Sequence, residues 1–125
     1  MFDWLKKKAP PPQGPDFAGI DSLTKAEAMF RRGELEKMFL LPLEFGGQDI
    51  PDNYVFVPLG LANVKWGIDT NVIRPMIVAG AATQYIATPK YQGNSFVPIS
   101  ITIVASDPGH FTTDISIWGE ALGRS

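Results

Sequence analysis

The chain has 125 residues, a formal net charge of −2 and 45% hydrophobic residues, enough apolar material for one modest core. It has no cysteine, which excludes disulfides, thiol nucleophiles and cysteine-ligated metals, and one histidine, which excludes a histidine-rich metal site. Residues 1–33 carry six basic and four acidic side chains, and residues 34–125 carry five basic and nine acidic ones. A mildly acidic body of this kind does not suit non-specific binding to nucleic acid.

The chain opens with Met1-Phe2-Asp3-Trp4-Leu5-Lys6-Lys7-Lys8. Its apolar residues precede its lysines, the reverse of a secretory signal, and no later stretch approaches the ~20 apolar residues of a membrane span. The expectation is a cytoplasmic protein. Residues 1–8 can form one or two amphipathic turns, either a weak contact surface or a frayed end. Four prolines and a glycine within residues 9–16 preclude regular structure, so residues 1–16 read as a basic start followed by a spacer. Residues 17–119 read as one domain, and residues 120–125 as a loose tail.

The pattern Thr24-Lys25-Ala26-Glu27 predicts a capping box and a helix that Gly33 ends, with Arg31 and Arg32 in its last turn. The short apolar run Met38 to Leu41, closed by Pro42, predicts a buried strand. Residues 46–53 form a Gly-, Asp- and Pro-rich loop, and Tyr54 to Val57 predicts the partner strand. From 61 to 79 the apolar spacing is helical, with a bend expected at Arg74-Pro75 and a stop at Gly80.

Three strands follow: Thr83 to Thr88, closed by Pro89; Phe96 to Ala105; and Thr112 to Trp118. Ile99, Ile101 and Ile103 alternate with Ser100, Thr102 and Val104, the pattern of a sheet with one buried face. Asp107 to His110 makes the turn between the last two. The order predicts an α+β fold: an antiparallel sheet of about five strands with two helices packed on one face. The long penultimate strand, were it at a sheet edge, would offer a route to a homodimer.

No catalytic or cofactor motif is present. There is no phosphate loop, no G-x-G-x-x-G, no G-x-S-x-G and no calcium-loop pattern. Glu44, Asp49 and Asp52 surround one Gly-rich loop; such residues shape turns, contact a partner or, as paired carboxylates, do acid–base work. The aromatics Trp66, Tyr85, Tyr91, Phe96 and Trp118 either line a pocket or an interface or belong to the core. His110 is either a solvent-exposed turn residue or a general base near Ser106 and Thr112.

Two stretches carry a resemblance. One is Pro42-Leu43-Glu44-Phe45-Gly46-Gly47-Gln48-Asp49-Ile50-Pro51-Asp52-Asn53, running into Tyr54 to Pro58. The other is Tyr91-Gln92-Gly93-Asn94-Ser95-Phe96-Val97-Pro98 with the strands that end at Trp118. With the start of the chain they resemble small bacterial proteins that look like immunity proteins of polymorphic toxin systems. The resemblance implies a cytosolic protein that neutralises a cognate toxin by covering its active site or a neighbouring surface, and it carries over no binding residues. The functional expectation is therefore a non-enzymatic protein-binding module, without cofactor or metal, using Glu44, Asp49, Asp52, Trp66 and His110. The alternative is a small ligand-binding protein or enzyme with a pocket between the sheet and the second helix.

Overall fold

A computed structural model describes residues 15–123. The expectations for residues 1–14, the amphipathic start and most of the proline-rich spacer, lie outside the described residues. In chain order the elements are α1 (Leu23–Arg31), β1 (Leu35–Phe39), β2 (Tyr54–Pro58), α2 (Leu61–Ile68), α3 (Arg74–Val78), β3 (Ala82–Lys90), β4 (Ser100–Pro108), β5 (His110–Ser116) and the short α4 (Glu120–Gly123). The fold is α+β, and its five strands pair antiparallel.

The strands divide into two hydrogen-bonded units rather than one sheet: a β1–β2 ribbon and a three-stranded sheet in the order β3–β4–β5. The long helical segment between β2 and β3 separates them, and both units contribute to one core. In the ribbon, Lys37 lies opposite Phe56 and Met38 opposite Val55. Directly paired residues share a face, so Lys37, Phe39, Tyr54 and Phe56 lie on one side and Glu36, Met38, Val55 and Val57 on the other. On the first face Phe30 of α1 packs against Phe56 at 5.3 Å between ring centroids. On the second, Glu36 Oε2 accepts the N–H groups of Gly60 and Ala62, so a strand residue caps the start of α2. The helices are thus distributed over both faces of the ribbon, with α3 against β3.

The helix ends show which local signals prevail. The N-cap of α1 is Ser22, whose Oγ accepts the N–H of Lys25, two residues before the expected Thr24 cap. The earlier start also lets Lys25 pair with Asp21 at 2.8 Å, an i,i+4 contact. Gly33 and Gly80 end their helices as expected, each followed by the paired hydrogen bonds of a Schellman motif. The bend expected at Arg74-Pro75 takes the form of a π turn, Asp69–Ile73, between α2 and α3. Pro75 has no N–H for the carbonyl one turn back, and the ladder widens just before it, Arg74 N–H reaching Asp69 O.

The three-stranded sheet buries Ile101, Ile103 and Ala105 of β4 together with Ile115, and Ile99, Ile117 and Trp118 extend this core beyond the strands. β4 is the central strand, paired on both sides, so the homodimer route through its edge is closed. Pro89, expected to end β3, lies within it; β3 is an edge strand, where a residue lacking an N–H is tolerated. The segment before α1 docks at the end of the sheet, with Phe17 edge-on to Trp118, Ser95 Oγ donating to Phe17 O, and Phe96 N–H donating to Ile20 O. Residues 120–123 form a helical turn whose first N–H donates to Gln92 Oε1. No helix among the described residues is long and apolar enough to cross a membrane.

Candidate functional site

A cleft of about 270 Å³ opens between the ribbon and α2. On a helix, residues at i, i+3, i+4 and i+7 share one face. Ala62, Lys65, Trp66 and Asp69 have this spacing, and all four line the cleft. The opposite wall comes from β1 and the turn after it, through Lys37, Met38, Phe39, Pro42, Leu43 and Glu44. That turn is held in a fixed shape. Asn53 closes the loop between β1 and β2, its side chain bonding both the N–H and the carbonyl of Leu41 and the carbonyl of Gln48. Gly47 permits the closure, because a Cβ there would collide with the carbonyl oxygen of Leu41.

The floor holds a buried polar ring. Lys65 Nζ donates to Asp69 Oδ2 at 2.7 Å and to Tyr85 Oη at 2.6 Å, and Tyr85 Oη donates to Asp69 Oδ1 at 2.8 Å. Lys65 is 3% exposed and Asp69 is 2% exposed. Taking both charges out of water is costly, and the closed ring offsets that cost by satisfying both carboxylate oxygens. Tyr85 comes from β3, so the ring ties α2 to the three-stranded sheet. Phe45 packs edge-on against Tyr85 at 5.8 Å, which extends the tie to the wall of the cleft.

Burial pushes the Lys65 ammonium below the ordinary lysine range, against the opposing pull of Asp69 and Glu44. Burial, then the charge of Asp69, holds the Tyr85 phenol above the ordinary tyrosine range. A tyrosine raised in the folded state keeps its proton where the unfolded chain, titrating near 10.0, has lost it. The folded state then binds more protons, so stability falls as pH rises above that value. The Lys65 shift has the opposite sign, and its window lies just below the ordinary lysine value of 10.5. Urea unfolding between about pH 9 and pH 11 should therefore show a falling midpoint at the alkaline end. Tyr85→Phe should make that fall shallower, although Tyr91, also raised by burial, keeps part of it.

The five residues expected from the sequence are not brought together. Glu44 and Trp66 meet at the cleft, Trp66 with 56% of its surface exposed. Asp49 lies outside it and pairs with Lys37 at 3.0 Å. Asp52 is exposed in a single 3₁₀ turn, Pro51–Asn53, away from the cleft lining. His110 is exposed at the start of β5, opposite Ser106 in the strand register. Sequence reasoning missed Lys65 and Asp69, and named Tyr85 only as one of several aromatics for a pocket, an interface or the core. The signal for the first two was present: an i,i+4 Lys–Asp pair on the same helical stripe as Trp66.

Among the described residues, no three His, Asp or Glu side chains converge as metal ligands. The chain matches no protein-family model, no curated protein and no solved structure.

Proposed function

We propose that the protein is a protein-binding module whose recognition site is the cleft between the β1–β2 ribbon and α2. The observation that carries this reading is Trp66, more than half exposed beside an open cleft whose floor is fixed by the Lys65–Asp69–Tyr85 ring. Tryptophan is over-represented among the residues that dominate binding energy, and a rigid supporting floor limits the entropy lost when a partner docks. Leu43, also exposed on the opposite wall, adds apolar surface to the rim. The resemblance to immunity proteins supplies one class of partner, a bacterial toxin domain, which the mildly acidic body would attract if it is basic.

The test is affinity capture from the native host at about 150 mM salt, with the wild type and Trp66→Ala compared. One stoichiometric protein should be retained by the wild type and lost by the variant. The variant's melting temperature should stay within about 3 °C of the wild type, as for other exposed substitutions. A protein retained equally by both would remove the cleft from the reading, and the absence of any stoichiometric protein would count against a protein partner.

A second reading, a small-molecule site, is favoured by one observation, that Lys65, Asp69 and Glu44 all line a cleft of about 270 Å³. A thermal-shift screen of metabolites would support it by a hit that Trp66→Ala abolishes.

A further inference from the structure

We propose that the occupant of the cleft is a basic side chain, above all an arginine, presented by the partner protein; this deepens the preceding reading and rests on it. The argument is one of charge. Residues 35–69, which supply all the residues lining the cleft, carry five acidic side chains and two lysines. Both lysines are engaged, Lys37 with Asp49 and Lys65 with Asp69. Glu36 is taken up in capping α2. Glu44 lines the cleft, is exposed, and among the described residues forms no ion pair. Among the described residues, both lysines that line the cleft are thus paired, and Glu44 is the one lining carboxylate outside an ion pair.

Each class of occupant can be weighed against that arrangement. A purely apolar side chain would bury the Glu44 carboxylate without a partner, which costs more than the contact returns. An anion would meet Glu44, and the two lysines that line the cleft are already matched, Lys65 by Asp69 and Lys37 by Asp49. A cation is attracted to Glu44 and to the face of Trp66 together. Arginine fits better than lysine, because its planar fork can engage a carboxylate with two parallel hydrogen bonds and stack on an indole. Its methylene stem would lie along Met38, Pro42 and Leu43.

The probe is N-acetyl-arginine amide, titrated into ¹⁵N-labelled protein with the Trp66 indole N–H as reporter, assigned by its loss in Trp66→Phe. N-acetyl-leucine amide and N-acetyl-glutamate amide serve as controls. The arginine probe should shift the Trp66 signal in a saturable way at millimolar concentration. Glu44→Gln, an exposed change that should leave the fold intact, should weaken the response about fivefold, the upper range for one solvent-exposed ion pair. An equal response to the leucine probe, a stronger response to the glutamate probe, no response at Trp66, or an unaltered response in Glu44→Gln would each overturn the proposal. Failure here with Trp66-dependent capture from the host intact would leave the protein-binding reading standing with a different occupant. Failure of both would remove both.

Discussion

Replacing Lys65 by methionine is expected to destabilise the fold by about 3–5 kcal/mol, the usual consequence of leaving one member of a buried ion pair without its partner. Methionine has nearly the same length and packs without a void, so the loss would come from charge and hydrogen bonding, not from volume. Asp69 would remain 2% exposed with a carboxylate whose only retained donor in the ring is the Tyr85 hydroxyl. Thermal unfolding should register this as a fall on the order of 10–20 °C for a domain of this size. The triple variant Lys65→Met, Asp69→Leu, Tyr85→Phe should recover most of the loss, because replacing all three members leaves no buried polar group without its partner. Recovery would identify the ring as a device of specificity and pre-organisation. A single variant as stable as the wild type would mean that the pair is solvated and that the cleft floor is not rigid.

The ring also marks where sequence reasoning stops. The helix from 61 to about 79 is legible because its apolar spacing has the helical period, and the irregularity before Pro75 follows from the chemistry of proline. The alternation of Ile99, Ile101 and Ile103 against Ser100 and Thr102 gives the buried face of the sheet, because period-two burial has no other common cause. The division into a ribbon and a separate sheet is not legible. Each strand is locally consistent with either arrangement, and the choice depends on how the helical segment between β2 and β3 packs. The cap of α1 was misplaced for a related reason. Thr24 and Glu27 satisfy the capping-box pattern, but Ser22 can cap as well, and its register brings Asp21 within reach of Lys25.

The candidate site was half legible on the same grounds. Glu44 and Trp66 stood out as an acid and an aromatic, yet their neighbourhood depends on the turn from Pro42 to Phe45 folding over α2. Asp49 and Asp52 belong to the same acidic group in the sequence, but neither lines the cleft: Asp49 pairs with Lys37, and Asp52 sits exposed in the turn Pro51–Asn53. Tyr85 could not be placed from sequence. It reaches Lys65 across twenty residues and a change of structural unit, a relation that only the tertiary fold creates.

Trp118→Ala is expected to cost about 3–5 kcal/mol, in the range of buried tryptophan truncations. Trp118 is 2% exposed, lies two residues beyond the end of β5, and donates its indole N–H to the carbonyl of Val97 at 2.9 Å. Its ring meets Phe17 edge-on, so the truncation would also loosen the segment before α1, which Ser95 and Phe96 otherwise hold to the end of the sheet. Trp118→Phe separates the two contributions. It keeps most of the apolar volume but leaves the Val97 carbonyl with only the longer contact from Ser95 Oγ at 3.3 Å, a loss of about 1 kcal/mol. Chemical denaturation of the three proteins gives the stabilities, and limited proteolysis around residues 15–22 reports the docking of the segment. Faster cleavage in Trp118→Ala than in Trp118→Phe, in step with the stability order, is the result expected if the indole is the anchor of that segment. Equal cleavage in all three would assign the anchoring to the Ser95 and Phe96 hydrogen bonds alone, with Trp118 confined to filling the core.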